Sequence, residues 1–235
     1  MTPPLAFGAR VSPAFRARLR ELVHNLGWTD AHADWLMACM AFETGETFSP
    51  SVRNPRSTAT GLIQFMAATA RQLGTTTTAL AAMSAEQQLA YVEAYLRPYA
   101  KRIRSLEDMY LAILWPRGIG QALNWVLWTS GTQAYAVNRG LDRNRDGKVT
   151  KAEATAKVRA LLKKGLQPGQ IWDPDTPSVR WVQAKLNNWG ADLIEDGVHG
   201  PLTTGALQRF QRYRGLPVTG TATPATIAAL REIAA

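Results

Sequence analysis

The sequence predicts a mainly α-helical chain in two units of unequal size, and three observations lead there. Apolar residues recur three and four apart through most of residues 12–164, strand-like alternation is scarce, and three prolines and two glycines crowd 165–177. The chain has 235 residues, 46% of them hydrophobic and 19% charged, which allows a sizeable core and excludes a disordered or fibrous class.

Ser12 followed by Pro13 is a helix-start signal, and Phe15, Leu19, Leu22, Val23 and Leu26 then share a face until Gly27. Thr29 is placed to cap a second helix that runs through Trp35–Phe42, is apolar nearly all round, and ends at Glu43, so it should cross the domain centre. Further helical patterns cover 85–97, 105–115, 120–137 and 151–164. The predicted organisation is a first domain over 1–165, a linker over 166–177, and a module over 178–235. In that module Val179, Val182 and Leu186, then Ala206, Leu207 and Phe210, then Ile227 and Leu230 mark three short helices.

A net charge of +9 and a pI near 10 imply a polyanionic partner. From residue 176 onward there are 6 Lys and Arg against 4 Asp and Glu, so the first 175 residues carry 21 against 14 and most of the excess. Nucleic acid is not the expected partner, because the basic residues are dispersed and no nucleic-acid-binding motif spacing occurs. Cys39 is the only thiol, which excludes an intrachain disulfide, and His24, His32 and His199 are too scattered for a zinc centre. The first ten residues lack a signal-peptide pattern, and no run of about 18 apolar residues occurs, so no transmembrane segment is expected.

Glu43 is the sharpest catalytic candidate. A carboxyl after eight apolar residues is partly desolvated, which favours its protonated form, while the loop that follows opens it to solvent. On periodicity alone it could instead pair with Arg53, and Glu46 is a second carboxylate three residues on. Residues 142–153 fill a calcium-loop pattern: Asp142, Asn144 and Asp146 at positions one, three and five, Gly147 at six, Lys148 and Thr150 at seven and nine, and Glu153 at twelve. Such loops are paired in sensors. A single one suggests a structural clip, weakened by the charges of Arg143, Arg145, Lys148 and Lys151.

Glu43-Thr44, then Ser49-Pro50, Asn54 and Gly61-Leu62-Ile63-Gln64-Phe65-Met66, resembles the soluble lytic transglycosylases of the lysozyme superfamily, most nearly their phage-encoded form, over roughly residues 10–165. The resemblance implies a lysozyme-like fold and a Glu43 acid/base that cleaves the β-1,4 bond between N-acetylmuramic acid and N-acetylglucosamine. It also implies Tyr110 as the residue orienting Glu43, and Thr44, Gly61, Leu62 and Gln64 as substrate-binding positions. The family's Ala-Tyr-Asn-x-Gly segment is replaced here by the stretch around Tyr110, which would act from a shifted position. No cofactor is expected for the chemistry, only a structural calcium.

The tail, through Val182-Gln183, Asp196-Gly197-Val198-His199-Gly200-Pro201, Thr203, Phe210-Gln211 and Gly215–Gly220, resembles the peptidoglycan-binding repeat of cell-wall hydrolases. Gly197, Gly200 and Gly220 suit its tight turns. Together these resemblances imply a phage lysis enzyme acting on bacterial peptidoglycan as a monomer, held in the host cytoplasm until release to the wall, with a virion-borne role as the other setting. A water-using muramidase is the alternative enzyme, and a noncatalytic wall-binding virion protein the alternative from another class.

Overall fold

The structure is a computed structural model that describes residues 3–55, 57–172 and 177–233. Chain contacts divide it into two compact units, the first ending at Trp172 and the second beginning at residue 173.

The first unit is built on α1 (Pro13–Asn25) and α2 (Asp30–Glu43). The Ser12 hydroxyl accepts from the Phe15 N–H at 2.9 Å, and Thr29 forms a reciprocal cap with His32. Every side chain from Leu36 to Ala41 is buried, as its apolar circumference predicts, and α2 packs against α6 (Leu106–Leu114) and α8 (Lys151–Gly165). Between α2 and α6 lie α3 (Ala67–Gln72), α4 (Thr77–Ala82) and α5 (Ala85–Leu96), with α5 resting on α1.

The helix expected over 120–137 does not form. That stretch holds a loop, strand β1 (Val126–Thr129) and the short α7 (Gln133–Asn138), and β1 pairs antiparallel with β2 (Lys148–Thr150) inside the expected calcium loop. Val126, Leu127 and Trp128 are β-favouring or apolar, and too few for a helix once Gly120 and Gly131 bracket them. The expected clip therefore joins a strand, not a helix, to α8: the Lys151 and Ala152 N–H groups donate to the carbonyls of Trp125 and Leu123.

Lys151 also departs from expectation. It is 2% exposed, and its ammonium donates to Asp108 Oδ1 at 2.6 Å and to the carbonyls of Gly118 and Gln121, so it points away from the loop. Likewise residues 166–172 of the expected linker pack on the first unit. Leu5 and Trp172 exchange backbone hydrogen bonds at 2.7 and 2.9 Å, and the Arg16 guanidinium lies over the Trp172 ring. Residues 173–176 of that linker lie outside the described residues.

The second unit is a three-helix module of α9 (Val179–Trp189), α10 (Pro201–Tyr213) and α11 (Pro224–Arg231). Its core is small: Val182, Leu186, Ala206, Leu207, Phe210, Ala229 and Leu230, with Trp189 set edge-on to Phe210 at 5.2 Å. No helix among the described residues is long and apolar enough to cross a membrane.

Candidate functional site

Glu43 is the last residue of α2 and is half-buried. Desolvation by burial pushes its carboxyl from 4.5 up to about 7. It makes no ion pair or hydrogen bond among the described residues, so the alternative pairing with Arg53 does not occur. One turn earlier, Cys39 is fully buried and its thiol is raised well above its usual range by burial and then by Glu43, so it stays neutral. Tyr110, from α6, is 3% exposed, meets Phe42 edge-on at 5.5 Å, and has its phenol pushed up by burial first and by Glu43 second. Glu43 and Tyr110 thus belong to one neighbourhood. Glu46 differs from Glu43: Lys164 Nζ donates to both its carboxylate oxygens at 2.7 Å.

The loop after Glu43 is held by its own polar groups. Thr44 is buried, donates to the Met40 carbonyl at 2.7 Å and accepts from the Phe48 N–H at 3.0 Å, which spends its hydroxyl on the turn. The Leu62 side chain is fully buried, and the Gln64 amide donates to the carbonyls of Val52 and Gly61 at 3.2 and 3.1 Å. Gly61 has φ +82°, and a Cβ there would collide with the Gln88 amide, so protein contacts alone require glycine. Gln88 was not legible as a site residue, yet it organises this loop: fully buried, it accepts from the Leu62 N–H at 2.6 Å and donates to the carbonyls of Pro50 and Leu80. A buried glutamine on an apolar helix face was the available signal.

In the loop 142–153 the oxygen donors are engaged with N–H groups of the loop itself. Asp142 Oδ1 accepts from Arg145 N–H at 2.7 Å, its Oδ2 from Gly147 N–H and the Tyr135 hydroxyl, Asn144 Oδ1 from Asp146 N–H, and Asp146 Oδ1 from Lys148 N–H. Glu153 caps α8, accepting from Thr150 N–H and Oγ1 and from Arg143 N–H. The Tyr135 hydroxyl is the chief reason Asp142 lies below the usual carboxylate range. This donor chemistry suits a hard cation. In this geometry, however, no group of three or more His, Cys, Asp or Glu side chains among the described residues converges to hold a metal.

The second unit is organised by two buried glutamines with matching roles. Gln183 donates to Asp196 Oδ1, the Val198 carbonyl and Thr203 Oγ1 and accepts from Gly197 N–H. Gln211 donates to Thr219 Oγ1, the Thr221 carbonyl and Thr226 Oγ1 and accepts from the Thr219 and Gly220 N–H groups. Each ties a turn to the start of the following helix. Gly197 and Gly220 have φ of +78° and +71°, as their turns need, whereas Gly200 has an ordinary φ of −93° and serves as the N-cap of α10. His199 Nε2 lies 3.1 Å from both Thr204 Oγ1 and the Gly220 carbonyl.

Compared with known proteins, the chain matches no curated protein and no solved structure. Residues 175–230 match the family described as "Putative peptidoglycan binding domain", a stretch that covers α9, α10 and all but the last residue of α11. The chain therefore carries a C-terminal peptidoglycan-binding domain.

Proposed function

We propose that the first unit cleaves the glycan strand of peptidoglycan between N-acetylmuramic acid and N-acetylglucosamine, with Glu43 as its acid/base. The observation that carries this reading is a carboxyl at a helix end with a pKa near 7 and no partner among the described residues. Protonated at neutral pH, Glu43 donates to the glycosidic oxygen as the bond to muramyl C1 breaks. Its carboxylate then takes a proton from the sugar's C6 hydroxyl, whose oxygen closes on C1 and leaves a 1,6-anhydro end. Hydrolysis of a glycosidic bond commonly needs a second carboxylate. The nearest in sequence, Glu46, is tied to Lys164, which favours the anhydro route over a water-using muramidase.

Tyr110 would act as the positioning residue for Glu43. The peptidoglycan-binding domain would hold the enzyme on its insoluble substrate, consistent with a phage lysis role. Calcium in the loop 142–153 is a separate proposal, supported by the donor spacing and by the strand pairing that ties the loop to α8.

The deciding experiment is mass spectrometry of fragments released from purified sacculi, since anhydro and reducing ends differ by one water. Release of anhydro-muropeptides by wild type and none by Glu43→Gln is expected. No release by wild type would leave a noncatalytic wall-binding protein.

A further inference from the structure

A cavity of about 610 Å³ opens on the first unit, and neither Glu43 nor Tyr110 lines it. Its floor is a closed ion pair: Lys151 and Asp108 meet at 2.6 Å, and Asp108 also accepts from the Arg104 and Gly120 N–H groups. No charge is left over there. The rim is different, for Lys101, Arg102 and Arg104 are exposed and make no ion pair among the described residues. The lining carboxylates are committed elsewhere, Asp108 to Lys151 and Glu107 to Arg159 at 2.6 Å. Ile119, Ala122 and Leu123 supply an apolar wall, and Leu123 is 51% exposed. Lys151 begins α8, while Lys164 near its other end reaches Glu46. Asp108 on the cavity floor and Tyr110 beside Glu43 lie two residues apart on α6, about 200° round the helix, so the cavity and Glu43 lie on different sides of that helix.

We propose that this cavity binds the carboxylate-bearing stem peptide of peptidoglycan, as a subsite separate from Glu43. The proposal rests on the reading that the first unit acts on peptidoglycan. Three cations with no ion pair among the described residues, Arg102 donating only to the Ile119 carbonyl, concentrate positive potential in a concave wall where a ligand carboxylate would be their counter-ion. The exposed Leu123 beside them suits the small aliphatic side chains of such a peptide. A phosphate polymer would use the cations and leave the apolar wall bare. A contact of this kind, outside the surroundings of Glu43, would align a strand without touching its glycosidic bond.

The test is calorimetric titration of the full chain, at low salt, with the free stem tetrapeptide, its carboxyl-amidated form, and inorganic phosphate. Wild type should bind the tetrapeptide and lose it on amidation. The combined variant Lys101→Ser, Arg102→Ser, Arg104→Ser should bind roughly tenfold more weakly or worse. Its circular dichroism should be unchanged, because these side chains are exposed. Leu123→Ser should weaken tetrapeptide binding and spare phosphate. Three results would overturn the proposal: no tetrapeptide binding by wild type, equal binding by the combined variant, or tighter binding of phosphate than of tetrapeptide. Glu43→Gln should bind the tetrapeptide as wild type does. If that variant still lyses walls while the combined variant loses the peptide, the catalytic assignment fails and the subsite stands.

Discussion

Glu43 ends an apolar helix and Gln211 lies on the buried face of an amphipathic one, and the two units treat these polar side chains in opposite ways. Gln211 is fully buried and every hydrogen-bonding atom of its amide is met, by two backbone N–H groups, a carbonyl and two threonine hydroxyls. Glu43 has no such partner among the described residues and meets desolvation. A buried polar group that is fully paired is a fold device, here one that fixes a turn in a module too small to rely on its apolar core. An unpaired carboxyl costs stability and gives the fold nothing in return, so its retention asks for a chemical reason. Most of the sequence motif in the second unit is thus architecture, while in the first unit the informative residue is the one the fold leaves unserved.

The hardest blow to this contrast would come from Glu43→Gln. Gln keeps the shape and cannot donate a proton with comparable acidity, so wall lysis should fall by about 10²-fold or more with the helical circular-dichroism spectrum unchanged. Turbidity clearance of purified walls measures it, and lysis at the wild-type rate would remove Glu43 from the chemistry. The same variant separates cost from function. A carboxyl raised from 4.5 to about 7 holds its proton more tightly when folded, so its penalty is absent below pH 4.5, grows as pH rises through 7, and is complete above. Glu43→Gln should therefore be more stable than wild type by about 3 kcal/mol at pH 8 and nearly equal at pH 4. Denaturant melts at the two pH values supply the numbers, and equal gains at both would mean that the carboxyl is not desolvated.

The opposite outcome is expected from Gln211→Leu. Leucine fills the space and leaves the Thr219 and Gly220 N–H groups without their acceptor, which should cost the second unit about 2 kcal/mol. Binding to sacculi should weaken accordingly, while cleavage of soluble glycan oligomers should not change. A variant as stable as wild type would show that the turn is held by something other than the glutamine.

What the sequence made legible follows the range of the interaction. The caps at Ser12 and Thr29 are local, and each governs a helix in the structure. The burial of Glu43 was readable because eight apolar residues precede it on one helix. Pairings between distant segments were not readable. β1 is four residues long and is a strand only because β2 lies beside it. Lys151 looked like a loop charge because its partner Asp108 is 43 residues away. Gln88 and Gly61, 27 residues apart in sequence, are one device that only the fold brings together.

The smallest effect concerns the loop 142–153, which lies between the two cases. Its carboxylates are served, but by N–H groups that a metal would have to share, and Glu153 is already the cap of α8. Three of the four cations counted from sequence, Arg143, Arg145 and Lys148, remain exposed, while Lys151 turns inward to Asp108. Affinity should be modest. A metal that binds only the folded state at about ten times its dissociation constant adds about 1.4 kcal/mol, or roughly 4 °C in Tm for a unit of this size. Differential scanning calorimetry with calcium and with chelator reads that increment directly. Asp142→Ala with Glu153→Ala should lower the melting temperature even without calcium, because both side chains bond the loop's backbone, and should erase the calcium-dependent rise. Turnover at low temperature should be insensitive to chelator, since the proposed chemistry at Glu43 uses no metal. Loss of turnover in a chelated but fully folded protein would mean that this loop serves the active site, and the division between served and unserved carboxylates would fail at its middle case.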